Sequence, residues 1–114
     1  MSHCKDAVAC AVSDHNIGID VENIVPYNHD IAQKVCTAAE FEILQQSENN
    51  DADFIKLWTM KEAISKFEGF GLSFPFKDID TNRYILHSRL CDHSKCILSI
   101  CGLKDDEIKF YKFS

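Results

Sequence analysis

At 114 residues the chain has the length of one ordinary domain, and its 46% hydrophobic and 26% charged residues exclude a disordered or collagen-like polypeptide. A formal net charge of −6 excludes a sequence-independent nucleic-acid binder, because neutralising phosphates takes clustered Lys and Arg. No apolar run is long enough to span a bilayer, and Met1-Ser2-His3-Cys4-Lys5-Asp6 lacks the basic start and apolar stretch of a signal peptide, so a cytoplasmic protein without a membrane partner is expected.

Ala7 to Ser13 and Ile17 to Glu22 are short apolar or alternating runs separated by the turn-favouring Asp14-His15-Asn16, and together they predict a β-hairpin. After Pro26, Ile31, Ala32 and Val35 lie at helical spacing within Asp30 to Cys36. Thr37 begins a second helix with Phe41 and Leu44 on one side, and Thr37-Ala38-Ala39-Glu40 fits a capping box. A longer third helix is predicted from Asp51 or Asp53 to Glu68. Its apolar stripe is Phe54, Leu57, Trp58, Ile64 and Phe67, and Gly69 is its stop. Beyond Gly71, the runs Leu72 to Phe76, Tyr84 to Leu90, Cys96 to Cys101 and Ile108 to Phe113 read as strands. The order strands, helices, strands predicts an α+β architecture, a long helix packed on a largely antiparallel sheet, with residues 1–114 forming one domain.

The six cysteines contain no Cys-x-x-Cys and no His at zinc-finger spacing. Most stand among Ala, Val, Ile and Leu, which predicts reduced thiols acting as small buried hydrophobes.

Asp20 and Glu22 are two positions apart on a predicted strand, so their carboxylates leave it on one face. Either both face solvent at the end of an edge strand, or their repulsion and desolvation call for a cation. Glu62 lies in the long helix with Lys66 one turn later, where an i,i+4 Glu–Lys pair stabilises a helix by about 0.2–0.5 kcal/mol. Glu40 is accounted for as the capping partner of Thr37. Three carboxylates converging from strand and helix would instead offer hard oxygen ligands suited to Mg²⁺, with Lys66 placed to meet a diphosphate.

Ser2-His3, Gly18-Ile19-Asp20-Val21-Glu22, then Phe54-x-x-Leu57-Trp58-Thr59-Met60-Lys61-Glu62-Ala63-x-x-Lys66 and Gly69-x-Gly71-Leu72, in that order, resemble the second half of a 4′-phosphopantetheinyl transferase of the Sfp type. The likeness runs from residue 2 to about residue 76. It implies the phosphopantetheinyl-transferase fold in one half-unit, and transfer of the phosphopantetheine arm of coenzyme A to a serine of an acyl- or peptidyl-carrier protein, with release of adenosine 3′,5′-bisphosphate. It further implies that Asp20, Glu22 and Glu62 hold Mg²⁺ on the diphosphate, that Lys66 contacts the same diphosphate, and that Ser2 and His3 hold the nucleotide end. Glu62 is also a candidate base for the attacking serine, and Glu40 lies close to the catalytic site by the same likeness.

Sfp-type enzymes are pseudo-dimers with coenzyme A bound between two similar halves, and this sequence matches the second only. Its length resembles the related holo-acyl-carrier-protein synthases, short chains that form homotrimers with interfacial active sites, so a homo-oligomer, trimer or dimer, is expected. The alternatives are a non-catalytic half that binds Mg²⁺ and coenzyme A or serves only as a structural module, and an unrelated Mg²⁺-dependent phosphohydrolase. Carrier proteins are usually acidic, as this chain is, so docking calls for a local basic patch, for which Lys34, Lys56 and Lys61 are candidates against a solvated helix face. Cys4 stands where the family usually has a serine.

Overall fold

A computed structural model of the chain describes residues 2–4, 7–9, 16–69, 75–91 and 95–103, with the backbone alone at residues 3 and 7–9. Strands β1 (Ser2–Cys4), β2 (Ala7–Ala9) and β3 (Gly18–Asn23) come first, followed by helices α1 (His29–Val35), α2 (Ala38–Gln46) and α3 (Asn50–Glu68). Two single 3-10 turns, Phe76–Asp78 and Thr81–Arg83, lead into β4 (Leu86–Leu90) and β5 (Cys96–Cys101). β1 pairs with β2, and β3, β5 and β4 form an antiparallel three-stranded sheet with β5 in the centre. The architecture is α+β, as the sequence predicts, with α3 lying across β3 and β5.

The helices begin and end where local chemistry dictates. The Asn28 side chain accepts from the Ile31 N–H at the start of α1, and at α2 both bonds of the Thr37–Glu40 capping box form. α3 ends at Gly69, whose φ of 77° is a left-handed conformation that costs glycine nothing.

Two expectations are corrected. β2 takes β1 as its partner and β3 takes β5, so the predicted hairpin between Ala7–Ser13 and Ile17–Glu22 is absent among the described residues. Turn-favouring residues such as Asp14-His15-Asn16 carry no information about which strands pair. At the predicted strand Leu72 to Phe76, Phe76 opens a 3-10 turn, while residues 72–74 and the run Ile108 to Phe113 lie outside the described residues. Of the cysteines, Cys36, Cys96 and Cys101 are buried, as read from their neighbours.

The core has two parts. Where α1, α2 and the first half of α3 meet β5, it contains Ala32, Val35, Cys36, Leu44, Phe54, Ile55 and Ile97. Along the second half of α3, Ala63, Ile64 and Cys101 pack with Phe67, Phe76, Ile79, Tyr84 and Leu86.

Gly18 governs how the two layers meet. A Cβ at this position would overlap the Ala63 carbonyl oxygen and stand 2.7 Å from the Phe67 nitrogen, so the α3 backbone rests directly on the β3 backbone. The missing Cβ points at α3, and side chains alternate along a strand, so Asp20 and Glu22 point at α3 as well. Opposite them in register, Cys101, Ser99 and Ile97 complete the helix-facing side of the sheet.

Candidate metal and diphosphate site

The close approach at Gly18 brings the acidic pair of β3 against the Trp58–Glu62–Lys66 face of α3. Asp20 is buried, which rules out the solvent-facing reading for it although β3 is an edge strand of its sheet. Its Oδ1 accepts from the Ser2 hydroxyl at 3.0 Å and from the Lys66 ammonium at 3.1 Å. The Ser2 oxygen in turn accepts from the Val21 N–H at 3.1 Å, fixing β1 beside β3. Lys66 therefore reaches across to the strand, with 41% of its side chain still exposed to meet a further anion.

Glu22 and Glu62 both feel the Asp20 carboxylate. Burial, then the Asp20 charge, then a hydrogen bond shared with Asp20 push the Glu22 carboxyl up to about 7, with Glu62 adding repulsion and the Trp58 side chain opposing it. The Trp58 donor is the indole N–H, the only one that side chain has. Glu62 is shifted upward by burial first and Asp20 second, against the pull of Lys66. Asp20 Oδ2 is buried with no hydrogen-bond partner.

Two carboxyls of raised proton affinity and an orphaned buried oxygen on a third amount to a local deficit of positive charge. The donor set is all oxygen and anionic, which fits a hard divalent cation such as Mg²⁺. Among the described residues no group of three or more His, Cys, Asp or Glu side chains is already arranged to hold a metal ion. Mg²⁺ keeps waters and takes phosphate oxygens alongside one or two carboxylates, so it does not require a complete protein cage.

Glu40 has other partners: its Oε1 accepts from the Thr37 N–H at 2.8 Å and pairs with the Lys61 ammonium at 2.7 Å. Lys61 is fully buried and also donates to the carbonyls of Val35 at 2.8 Å and Phe76 at 2.6 Å. It is therefore unavailable for docking, whereas Lys34 and Lys56 are exposed. The His3 side chain lies outside the described residues. Sequence reasoning did not give Trp58 a polar role or Lys61 a structural one. Trp58 precedes Glu62 by four residues and so shares its helix face, a spacing that could have flagged it.

Comparison with known proteins gives the family. The chain is 42% identical over 76 residues to the 4′-phosphopantetheinyl transferase psf-1 of Bacillus pumilus, covering 65% of this chain and 33% of that protein. It is 36% identical over 87 residues to the 4′-phosphopantetheinyl transferase gsp of Aneurinibacillus migulanus (73% and 37% covered), and 38% over 77 residues to Sfp of Bacillus subtilis (66% and 34%). The chain thus spans about a third of the length of the curated relatives it matches. Its fold resembles the crystal structure of Thermotoga maritima holo-[acyl-carrier-protein] synthase with a TM-score of 0.61 at 17% identity, covering 78% of this chain and 62% of that one. Residues 16–105 match the family as a whole, and the chain belongs to the 4′-phosphopantetheinyl transferase superfamily.

Proposed function

We propose that this chain supplies the metal and diphosphate wall of a cleft in which the phosphopantetheine arm of coenzyme A passes, in the cytoplasm, to a serine of an acyl- or peptidyl-carrier protein. The observation that carries this reading is the convergence of Asp20, Glu22 and Glu62 with Lys66, around a buried carboxylate oxygen that lacks a partner.

Bound by Asp20, Glu22 and Glu62, Mg²⁺ would neutralise charge on the diphosphate oxygens. The half-exposed Lys66 ammonium adds a second positive charge on the same side. Ser2, held between Val21 and Asp20, fixes the carboxylate in one rotamer, and His3 is assigned with it to the nucleotide end. Glu62, whose proton affinity is raised, is the proposed acceptor for the carrier serine proton. The serine oxygen bonds to the pantetheine-bearing phosphorus as the bond to the bridging oxygen breaks, and adenosine 3′,5′-bisphosphate leaves with that oxygen. Glu40, tied to Thr37 and Lys61, is assigned a supporting place beside the site.

Residues 1–114 form one wall, and the facing wall comes from another unit, for which a second copy in a homodimer or homotrimer is the arrangement we propose. The test is to incubate the protein with Mg²⁺, coenzyme A and an apo carrier protein and to weigh the carrier. The phosphopantetheine mass should appear with the wild type and vanish with Asp20→Ala and with Glu62→Ala, both still folded. Transfer retained in both variants would remove the metal assignment. A second reading, favoured by the third-length coverage of the relatives, is a half-unit that binds without transferring. Calorimetric binding of coenzyme A with no mass added to the carrier would select it.

A further inference from the structure

Two cysteines on different strands meet at the other end of β1. Cys4 Sγ lies 3.3 Å from Cys96 Sγ, although 92 positions separate them in the chain. β1 runs beside β3 in the same direction: Ser2 bonds to Val21, and Cys4, two residues on, meets Cys96, which pairs with Asn23, two residues beyond Val21. Cys96 is fully buried at the start of the central strand β5, and Cys4 is partly exposed. One sulfur is thus accessible and the other waits behind it, the arrangement of an attacking and a resolving thiol.

We propose that Cys4 and Cys96 close into a disulfide by exchange with a low-molecular-weight disulfide, fastening β1 to the central strand of the sheet. The Cys4 thiolate attacks one sulfur of RS–SR, forming a mixed disulfide and expelling RS⁻. The Cys96 thiolate then attacks the Cys4 sulfur and expels the second RS⁻. The net change oxidises two protein thiols and reduces RSSR to two RSH, with the thiol protons ending on the leaving groups. Forming the bond closes the contact from 3.3 Å to about 2.05 Å.

Two of the other described thiols are poor competitors. Burial, reinforced by Glu40, pushes the Cys36 thiol up to about 11, and burial with Glu68 pushes Cys101 up to about 12, so both stay protonated at neutral pH. The bond would also act at a distance from itself. β1 carries Ser2, whose hydroxyl holds both Asp20 and the Val21 amide, so the cross-link would fix one side of the carboxylate cluster. This inference stands apart from the proposed transferase function, because it concerns the thiols and not turnover.

The experiment treats the reduced full chain with glutathione disulfide under native conditions and maps the peptides without reduction. A Cys4–Cys96 peptide pair lighter by two hydrogens is expected, together with slower hydrogen exchange at the Val21 amide. The thermal midpoint should rise by roughly 5–15 °C, because the closed loop is long. Cys4→Ser should lose the linked peptide and all of that rise. Recovery of Cys4 as a free thiol, as a stable mixed disulfide with glutathione, or linked to a different cysteine would overturn the proposal.

Discussion

Replacing Lys61 with methionine tests the centre of the fold. The ammonium is fully buried and has three oxygen partners drawn from three segments: Glu40 in α2, the Val35 carbonyl at the end of α1, and the Phe76 carbonyl in the first 3-10 turn. Removing one partner from a buried ion pair costs about 3–5 kcal/mol, and each buried carbonyl left without a donor adds about 1–3 kcal/mol. Two features reduce the sum. Glu40 keeps its bond from the Thr37 N–H and is 16% exposed, so water reaches it, and methionine refills most of the stem volume. A net loss of about 3–5 kcal/mol is expected, a large share of the roughly 5–15 kcal/mol typical of a domain. Urea unfolding with linear extrapolation reads this directly. Adding Glu40→Gln to Lys61→Met should restore about 1 kcal/mol or more, because the stranded charge goes. A Lys61→Met protein within about 1 kcal/mol of wild type, at unchanged m-value, would refute the argument and return Lys61 to the surface.

Two further outcomes follow from the site geometry. Gly18→Ala drives a Cβ into the backbone of Ala63 and Phe67, neither of which can move aside without lifting α3. We expect a loss above about 4 kcal/mol or an insoluble product, and a folded Gly18→Ala protein with native thermal midpoint would contradict the packing. In metal-free buffer, Glu22 holds its proton up to about 7 when folded but releases it near 4.5 when unfolded. The native state therefore binds more protons across that window, and its contribution to stability is present below pH 4.5 and is lost as pH rises through 7. Carboxyl-carbon NMR should place the Glu22 midpoint well above the ordinary glutamate value, and Asp20→Asn should lower it partway, since burial remains. An ordinary midpoint in the wild type would show that burial and Asp20 do not act on it.

The long helix, its stop at Gly69, the Thr37 capping box and β5 were legible because each is set by local pattern: a 3.6-residue stripe, a left-handed glycine, a Thr-x-x-Glu box, a short apolar run. Strand pairing was not, since β3 finds its partner almost 80 positions later in β5, and no local signal encodes such distance. Lys61 shows a subtler failure. It falls four residues after Leu57 and three before Ile64, squarely on the buried stripe, yet hydropathy assigns a lysine to solvent. Only its three oxygen partners, contributed by segments remote in sequence, make burial tolerable. The acidic pair illustrates the reverse, with spacing placing both carboxylates on one face but leaving open which face. Gly18 decides it, because the residue that lets α3 approach stands two positions before Asp20 on the same side of the strand.

Trp58 is the sole tryptophan of the chain, and its surroundings give it an unplanned use. Its indole N–H is held by Glu22 and its ring stacks on Phe76 at 5.2 Å, with the planes inclined by 25°. The N–H bond ties the excited-state dipole to a carboxylate whose charge changes near neutrality, and the stacked ring shields one face from water. Intrinsic emission of the unlabelled protein is thus an optical gauge of the acidic cluster, free of any background from a second indole. A cation drawing Glu22 away from the ring would register as a change in emission colour and intensity.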